Sequence, residues 1–411
     1  MSTIEVNKIT PVSGGTAIQV GESGDTITVP SGATITNSGT ANNFTSYRPN
    51  AAPLIINGDM AVAQRSSNAT GLGGGSGYKS LDRYYSTFFY SSSNVGTFTQ
   101  SQSTDVPTGY GFRNSFKTDC TTAQTSLPAS GQIAIRYTVE AQDLNLFKFG
   151  TANAEKMTLA FWVKSNLTGT YNVSLYNQDG GSTPQVNSQY SISSANTWEK
   201  KVLVFPADTT NGFADDNGAG LSIDWIMGTG STYTGGTAPT TWSAFVNNTF
   251  NGGSTINMAS STSNEWLITG IQLEVGEYTS STIPPFQFER YGENLARCQR
   301  YFNMICEGSQ KPIGNGLFWE AQEVFVTMPI NGSTMRTTPS IYQTTGTDYF
   351  WAYRNGAADG LTELTLNAAS SERVITFYVG SSQGLASDTK NRPVFFRSGQ
   401  TASRLGLNAE L

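Results

Sequence analysis

The chain has 411 residues, of which 13% are charged, and it carries a net charge of −6 with no histidine. An ordinary soluble domain is roughly 25% charged, and long helices draw heavily on Glu, Lys and Arg, so a mainly helical protein is excluded. The missing histidine removes Ser–His–Asp and Cys–His catalysis and most zinc enzymes together.

Carboxylate chemistry survives that exclusion, chiefly glycoside hydrolysis by an Asp/Glu pair. No basic cluster is present, which disfavours nucleic acid as a partner. Aromatics make up 11% and Gly numbers 43. With abundant Thr, Ser and Asn, that balance suits pleated strands and turns, so the expected fold class is all-β. Cys120, Cys298 and Cys306 are too few and odd in number for a disulfide scaffold; they read as buried thiols of a protein folded in a reducing cytoplasm. The opening MSTIEVNKITPVSGG lacks the apolar core of a secretory signal. No apolar run approaches the roughly 20 residues of a membrane helix, so membrane insertion is not expected.

Residues 1–45 carry three short strand-like segments, 16–20, 25–29 and 33–37, separated by Gly-rich turns. Alternation places Ile18, Val20, Ile27, Val29 and Ile35 on one face. So small a set buries too little to stand alone, whereas strands from several chains can close a shared core. The expectation is a trimeric β-stalk that attaches and trimerises, followed by a linker at 46–52.

From 53 to 288 strand signals recur without a helix: Ile133–Val139, Met157–Ser165, Tyr171–Asn177, Trp198–Pro206, Leu221–Met227 and Trp266–Val275. Such spacing predicts a jelly-roll-like β-sandwich. Asn166-Leu-Thr-Gly169 reads as the turn of a hairpin joining the second and third of these strands. Trp225 alternates with Ile223 and reads as core. Residues 289–307 are the one helix candidate, with Tyr291, Leu295, Cys298, Phe302 and Ile305 at helical spacing; Cys298 is then a core thiol. A C-terminal β-domain is expected over 308–411, with strands at Leu317–Met328, Ser340–Tyr342, Tyr349–Tyr353, Val374–Val379 and Ala402–Leu407.

Several runs resemble a family of bacteriophage tail-fibre proteins: Leu54-Ile-Ile-Asn-Gly-Asp-Met60 with Gln64-Arg65 and Ser80-Leu-Asp-Arg-Tyr84, then Thr158–Ser165 and Ala195–Lys200. Ile268–Gly276 leading to Glu289–Phe302, Met328-Pro329 with Met335-Arg336 and Thr338-Pro339, and the closing Asn408-Ala-Glu-Leu411 continue the likeness across residues 53–411. The resemblance implies a virion fibre protein, usually homotrimeric, with a carbohydrate-binding-module-like sandwich, and says little about the receptor. The partners expected are other virion tail proteins and host cell-surface polysaccharide or lipopolysaccharide. The resemblance brings no catalytic residues. The function expected is therefore that of a structural subunit, not an enzyme, attached to the virion by its N-terminal end and binding host glycan during adsorption. Alternatives are a purely structural fibre or decoration protein on capsid or tail tube, and a carboxylate-based polysaccharide depolymerase.

A glycan site needs aromatic platforms beside polar groups. Two loop-rich regions offer both and nominate Tyr233, Trp242, Trp351, Tyr353 and Arg354, with a shared subunit interface as the competing role for these aromatics. Asp215, Asp216 and Asn217 offer clustered oxygens to a structural calcium. They lack the downstream Glu of a full calcium loop, so a solvated turn is the favoured reading, and no other cofactor is expected.

Overall fold

Twenty-two β-strands and a single α-helix make up the regular structure of the computed structural model, which describes residues 52–89, 94–354 and 356–411. The strand repeat at 1–45, with Ile18, Val20, Ile27, Val29 and Ile35, and the linker up to residue 51 lie outside the described residues.

Twelve strands build the larger half: β1 (Asn68–Leu72), β2 (Gly77–Tyr78), β3 (Tyr84–Phe89), β4 (Thr97–Ser103), β5 (Ser115–Thr122), β6 (Gln132–Glu140), β7 (Met157–Ser165), β8 (Gly169–Asn177), β9 (Gln185–Ile192), β10 (Glu199–Phe205), β11 (Ala219–Thr229) and β12 (Glu265–Val275). They form two antiparallel six-stranded sheets, ordered β1-β4-β5-β12-β7-β10 and β2-β3-β6-β11-β8-β9. The sheets face each other across an aromatic core. Phe88 stacks on Phe98 at 4.9 Å, Tyr84 meets Phe116 at 5.8 Å, and Phe161 meets the fully buried Trp225 edge-on at 5.9 Å. The all-β sandwich expected from the sequence is the observed architecture.

The hairpin expected at 166–169 is corrected. β7 pairs with β10 and β12 in the first sheet, while β8 pairs with β9 and β11 in the second. The turn is real, but it carries the chain from one layer to the other. The outer side of β8 is polar, with Asn172 and Ser174, and is nonetheless buried. The segment 231–253 folds over it: Asn172 Nδ2 donates to Asn251 Oδ1 and to the Gly252 carbonyl, both at 3.0 Å, and Asn187 Nδ2 donates to the Phe250 carbonyl at 2.8 Å.

The helix expected over 289–307 is also corrected. Helix α1 spans Tyr291–Gln299 only, and β13 (Phe302–Glu307) follows after a single turn. Pairing wins over helical spacing here, because β13 hydrogen-bonds the strand at the chain's far end, β22. The intervening strands are β14 (Pro312–Glu320), β15 (Glu323–Pro329), β16 (Ser340–Gln343), β17 (Phe350–Arg354), β18 (Ala357–Leu361), β19 (Thr365–Leu366), β20 (Val374–Gly380) and β21 (Pro393–Ser398), and the last is β22 (Arg404–Asn408). The single strand expected at Leu317–Met328 is thus two, β14 and β15, turning at Ala321-Gln322. A seven-stranded sheet, β18-β17-β21-β14-β15-β20-β19, faces the three-stranded sheet β13-β22-β16 across a second core that includes Phe318, Val326, Phe350, Phe377, Phe396 and Leu407.

A seam of buried charge joins the two halves. Glu410 accepts Arg65 Nη1 at 3.1 Å and Arg83 Nη1 at 2.5 Å, and all three side chains are at most 3% exposed. The two guanidiniums lie over aromatic rings, Arg65 over Phe302 at 3.6 Å and Arg83 over Tyr301 at 3.4 Å. Nearby, Glu140 accepts Arg300 Nε and Nη2, each at 2.8 Å, and the Tyr301 hydroxyl at 2.5 Å. Arg336 donates to the carbonyls of Ala409 and Glu410 at 2.7 and 3.0 Å. The short C-terminal tail is therefore held by groups from both halves.

This seam sets a pH dependence. Burial pushes the Asp82 carboxyl up from 3.8 to about 6, an effect that the charge of Arg65 and bonds from Gln64 only partly offset. A carboxyl with a raised folded-state pKa stabilises the fold at low pH and loses that contribution as pH rises through the folded value. Glu140 behaves oppositely: burial raises it, but Arg300 and Tyr301 together hold it below the usual range, so its contribution is lost only in more acid solution. Melting temperature is expected to rise as pH is lowered from about 7 to about 5 and to fall again below about 4. Scanning calorimetry across that range checks it, and Asp82→Asn should flatten the first limb.

Candidate functional site

Three of the five nominated residues stand on β17, which ends at Arg354; period-2 alternation buries Phe350 and Ala352 and turns Trp351 and Tyr353 to the opposite, outer side of the seven-stranded sheet. The same alternation runs across the neighbouring strands. On β21, Val394 and Phe396 are buried while Pro393 and Phe395 are exposed; on β14, Phe318 is buried while Leu317 and Trp319 are exposed, at 54% and 60%. Register aligns these outward side chains into rows. Tyr353 pairs with Phe395, which pairs with Asn315. Pro393 pairs with Leu317, Leu317 with Phe325, and Phe325 with Tyr378.

The outcome is a continuous aromatic band on one sheet face. Trp351 and Tyr353 lie 6.1 Å apart, and Phe325 sits between Tyr378 at 5.5 Å and Trp319 at 6.4 Å. Apolar surface gathered on one face in this way makes the band a candidate interaction surface. Polar groups are set among the rings. The Arg397 guanidinium lies 4.0 Å over Tyr353 and donates to its hydroxyl, and Arg397 Nε is buried without a partner. Lys390 caps Trp319 at 5.3 Å. A groove of about 470 Å³ runs along the band between Tyr353, Phe395, Asn315 and the β17–β18 turn. Gly399 lets Trp351 lie close to the sheet, since a Cβ there would stand 2.3 Å from its indole nitrogen and 2.1 Å from the Asp348 carbonyl.

Arg354 also lines the groove, but it is committed: Nη2 reaches Asp359 at 2.7 Å and Nη1 reaches Asp388 at 3.1 Å. The Thr389 N–H, then Arg354 and Arg392, hold the Asp388 carboxyl below its ordinary value. Arg354 thus braces the β17–β18 turn.

Tyr233 and Trp242 lie in the other half of the molecule. Tyr233 is 8% exposed and packs on Phe250 within the segment 231–253 that covers the second sheet. Trp242 is half-buried against the sandwich core, edge-on to Phe149 at 5.6 Å, and its N–H donates to the Pro206 carbonyl at 2.8 Å. Their ring faces are spent on packing. The turn with Asp215, Asp216 and Asn217 is self-satisfied as well. Asp215 accepts Asn145, Asp216 accepts the Gly218 N–H at 2.8 Å, and Asn217 exchanges bonds with Arg336 at 2.5 and 2.7 Å. Among the described residues no group of three acidic, Cys or His side chains is placed to hold a metal ion. The three cysteines are buried free thiols.

Sequence reasoning missed Leu317, Trp319, Phe325, Tyr378, Phe395 and Arg397. The signal was there in the alternation of Pro393-Val-Phe-Phe-Arg-Ser398 and Gly316-Leu-Phe-Trp319, but without strand order nothing shows that these faces coincide.

The fold and the band together define a two-part β-sandwich protein with an aromatic band on the outer face of one sheet. No family model matches the chain, and no curated protein matches it. Several solved structures align with part of the chain. The enzymatically active domain of bacteriophage CBA120 tailspike protein 4 is 15% identical over 54% of this chain, with a TM-score of 0.28, and the match spans 21% of that chain. A family 16 carbohydrate-binding module is 13% identical over 43% of this chain and 84% of its own, with a TM-score of 0.20. The CBM22-1–GH10 modules of Clostridium thermocellum xylanase 10B, solved with xylohexaose, are 8% identical over 55% of this chain and 30% of theirs, with a TM-score of 0.25. Among the described residues no helix is long and apolar enough to cross a membrane.

Proposed function

We propose that this chain is an adhesive fibre subunit of a bacteriophage tail that binds host cell-surface saccharide through the outer face of its C-terminal seven-stranded sheet. The single observation that carries the reading is the aromatic band of Trp351, Tyr353, Phe395, Leu317, Trp319, Phe325 and Tyr378, interleaved with Arg397 and Asn315. Aromatic faces accept the apolar faces of pyranose rings, and the flanking donors take hydroxyls. The resemblance of residues 53–411 to tail-fibre proteins supports the virion assignment, with the N-terminal repeats attaching and trimerising the chain. Threefold presentation would turn weak contacts into avidity.

Binding rather than hydrolysis is favoured by the state of the carboxylates beside the groove, since Asp359 and Asp388 each give Oδ2 to Arg354. Trp351→Ala combined with Tyr353→Ala is expected to lower retention of the full chain on immobilised host polysaccharide or lipopolysaccharide by at least about tenfold. That corresponds to about 1.4 kcal/mol per site. An unchanged retention sinks the proposal; release of oligosaccharide from the resin would favour the depolymerase instead. Sedimentation velocity on the same sample should give three times the chain mass.

A further inference from the structure

A second pocket lies on the other half of the molecule, against the outer face of the second six-stranded sheet. Its floor is β6, β11 and β8. Arg136 on β6 pairs across the sheet with Asp224 on β11, donating Nε and Nη2 to the two carboxylate oxygens at 2.7 and 2.8 Å. Asp224 is 1% exposed and Arg136 34%, so the pair shows only its guanidinium to the pocket. One wall is aromatic: Tyr176 lies 5.5 Å from Phe245 and 5.9 Å from Phe250, and the Arg136 guanidinium is 5.7 Å over the Tyr176 ring. Phe245 is 37% exposed, although the rest of this ring cluster is buried.

Gln132, Gln178, Ser182 and Thr183 complete the lining with polar groups. Gln178 donates its Nε2 to the Ser222 hydroxyl at 3.1 Å, which leaves its carbonyl oxygen as an acceptor. Ser182 and Thr183 adopt φ values of 63° and 45°, consecutive left-handed positions without glycine. Such backbone costs of the order of 1 kcal/mol or more per residue and persists where the surroundings impose it. Here the Phe245 N–H donates to the Ser182 carbonyl at 3.3 Å, and the Thr183 N–H to the Gly180 carbonyl at 3.1 Å. The pocket, an open depression of about 420 Å³, falls within the range of about 300–1,000 Å³ typical of small-molecule sites.

We infer that this pocket binds an uncharged hexopyranose unit, making a second saccharide site independent of the aromatic band. The chemistry selects that class. Phe245, backed by the buried rings of Tyr176 and Phe250, offers the exposed ring face for the apolar side of a pyranose. Gln132, Gln178, Ser182 and Thr183 offer amide and hydroxyl groups of both donor and acceptor character for its hydroxyls. The charge of Arg136 is cancelled by Asp224, so no net field draws an acidic sugar or a cation. The guanidinium still offers Nη1, which has no partner among the described residues, as a donor fixed in direction by its two bonds to Asp224.

The inference does not depend on the aromatic band, and the experiment keeps the two apart. Saturation-transfer NMR and calorimetric titration are run on the full chain with gluco-, galacto- and manno-oligosaccharides, and with oligogalacturonate as the charged contrast. In the Trp351→Ala/Tyr353→Ala background, at least one neutral oligosaccharide should still bind saturably. Adding Phe245→Ala or Gln178→Ala should weaken that binding at least tenfold, with the melting temperature of the Gln178→Ala variant unchanged. Loss of binding on Phe245→Ala in the otherwise wild-type chain, with no effect of the band variants, supports this site and fails the band. The inference is overturned by residual binding indifferent to both Phe245→Ala and Gln178→Ala, by preference for oligogalacturonate, or by no saturable binding of any neutral probe at millimolar concentration.

Discussion

Glu410→Ala is expected to destabilise the folded chain by about 3–5 kcal/mol, the range seen when one partner of a buried ion pair is removed. The carboxylate is 2% exposed and serves two guanidiniums, Arg65 and Arg83, that are themselves 3% and 1% exposed. Its loss leaves Arg83 without a counter-ion, and Arg65 with only Asp82 near it, in a buried seam. Their remaining contacts are bonds from Arg83 to the Thr138 carbonyl at 2.6 Å and from Arg65 to Asn408 at 2.8 Å, with the rings of Tyr301 and Phe302 beneath them. These contacts hold position without neutralising charge. The exposed pair Lys148–Glu155, 52% and 41% exposed, is the control: Glu155→Ala should cost less than about 1 kcal/mol. Urea unfolding of the three proteins checks both figures. Because Glu410 ties the C-terminal tail to the larger sandwich, its variant should also unfold in two separated steps, the C-terminal part first.

The second large effect is Trp225→Ala, expected to cost about 3–5 kcal/mol and to leave little soluble protein. Trp225 is fully buried between the two six-stranded sheets, edge-on to Phe161. Trp351→Ala removes the same side chain from an outward strand position and should change stability by less than about 1 kcal/mol while removing most saccharide binding. Thermal melts beside retention assays on the same two variants separate a core tryptophan from a ligand-facing one. Comparable destabilisation by both would mean that the outer face of β17 is interior.

What the sequence revealed was whatever depends on neighbours along the chain. Met157–Ser165 and Val374–Val379 were visible as strands because alternation is local, and Trp225 was visible as core because Ile223 shares its face. The helix at 289–307 was overextended since Phe302 and Ile305 fit a 3.6 spacing as well as a strand. Only β22, about a hundred residues on, decides the matter by pairing with Phe302–Glu307. The turn at Ala321-Gln322 was missed because it carries none of the Gly, Asn or Asp that mark tight hairpins. At 166–169 the turn was legible and the partner was not, because a turn fixes direction without choosing the sheet.

The site divides the same way. Trp351 and Tyr353 are two residues apart on one strand, so their shared face could be read directly. Phe395, Leu317, Phe325 and Tyr378 reach that face only through the strand order of the seven-stranded sheet. Tyr233 and Trp242 misled because glycines and polar residues around an aromatic look like an exposed loop, whereas here the loop is a cover pinned by Asn172 and Asn187 over an apolar cluster. The seam was invisible for the plainest reason: Arg65 and Glu410 are 345 positions apart.

Hydroxyl-radical footprinting of the full chain, with and without host polysaccharide, tests the central claim most directly, because aromatic side chains report their own exposure. Saccharide should protect Trp319, Trp351, Tyr353 and Phe395 together and leave Tyr291, exposed on α1, unchanged. Full oxidation of those four residues in saturating polysaccharide, or their protection already in its absence, would contradict the account: the first would place binding elsewhere, and the second would make the band an interface between copies of the chain.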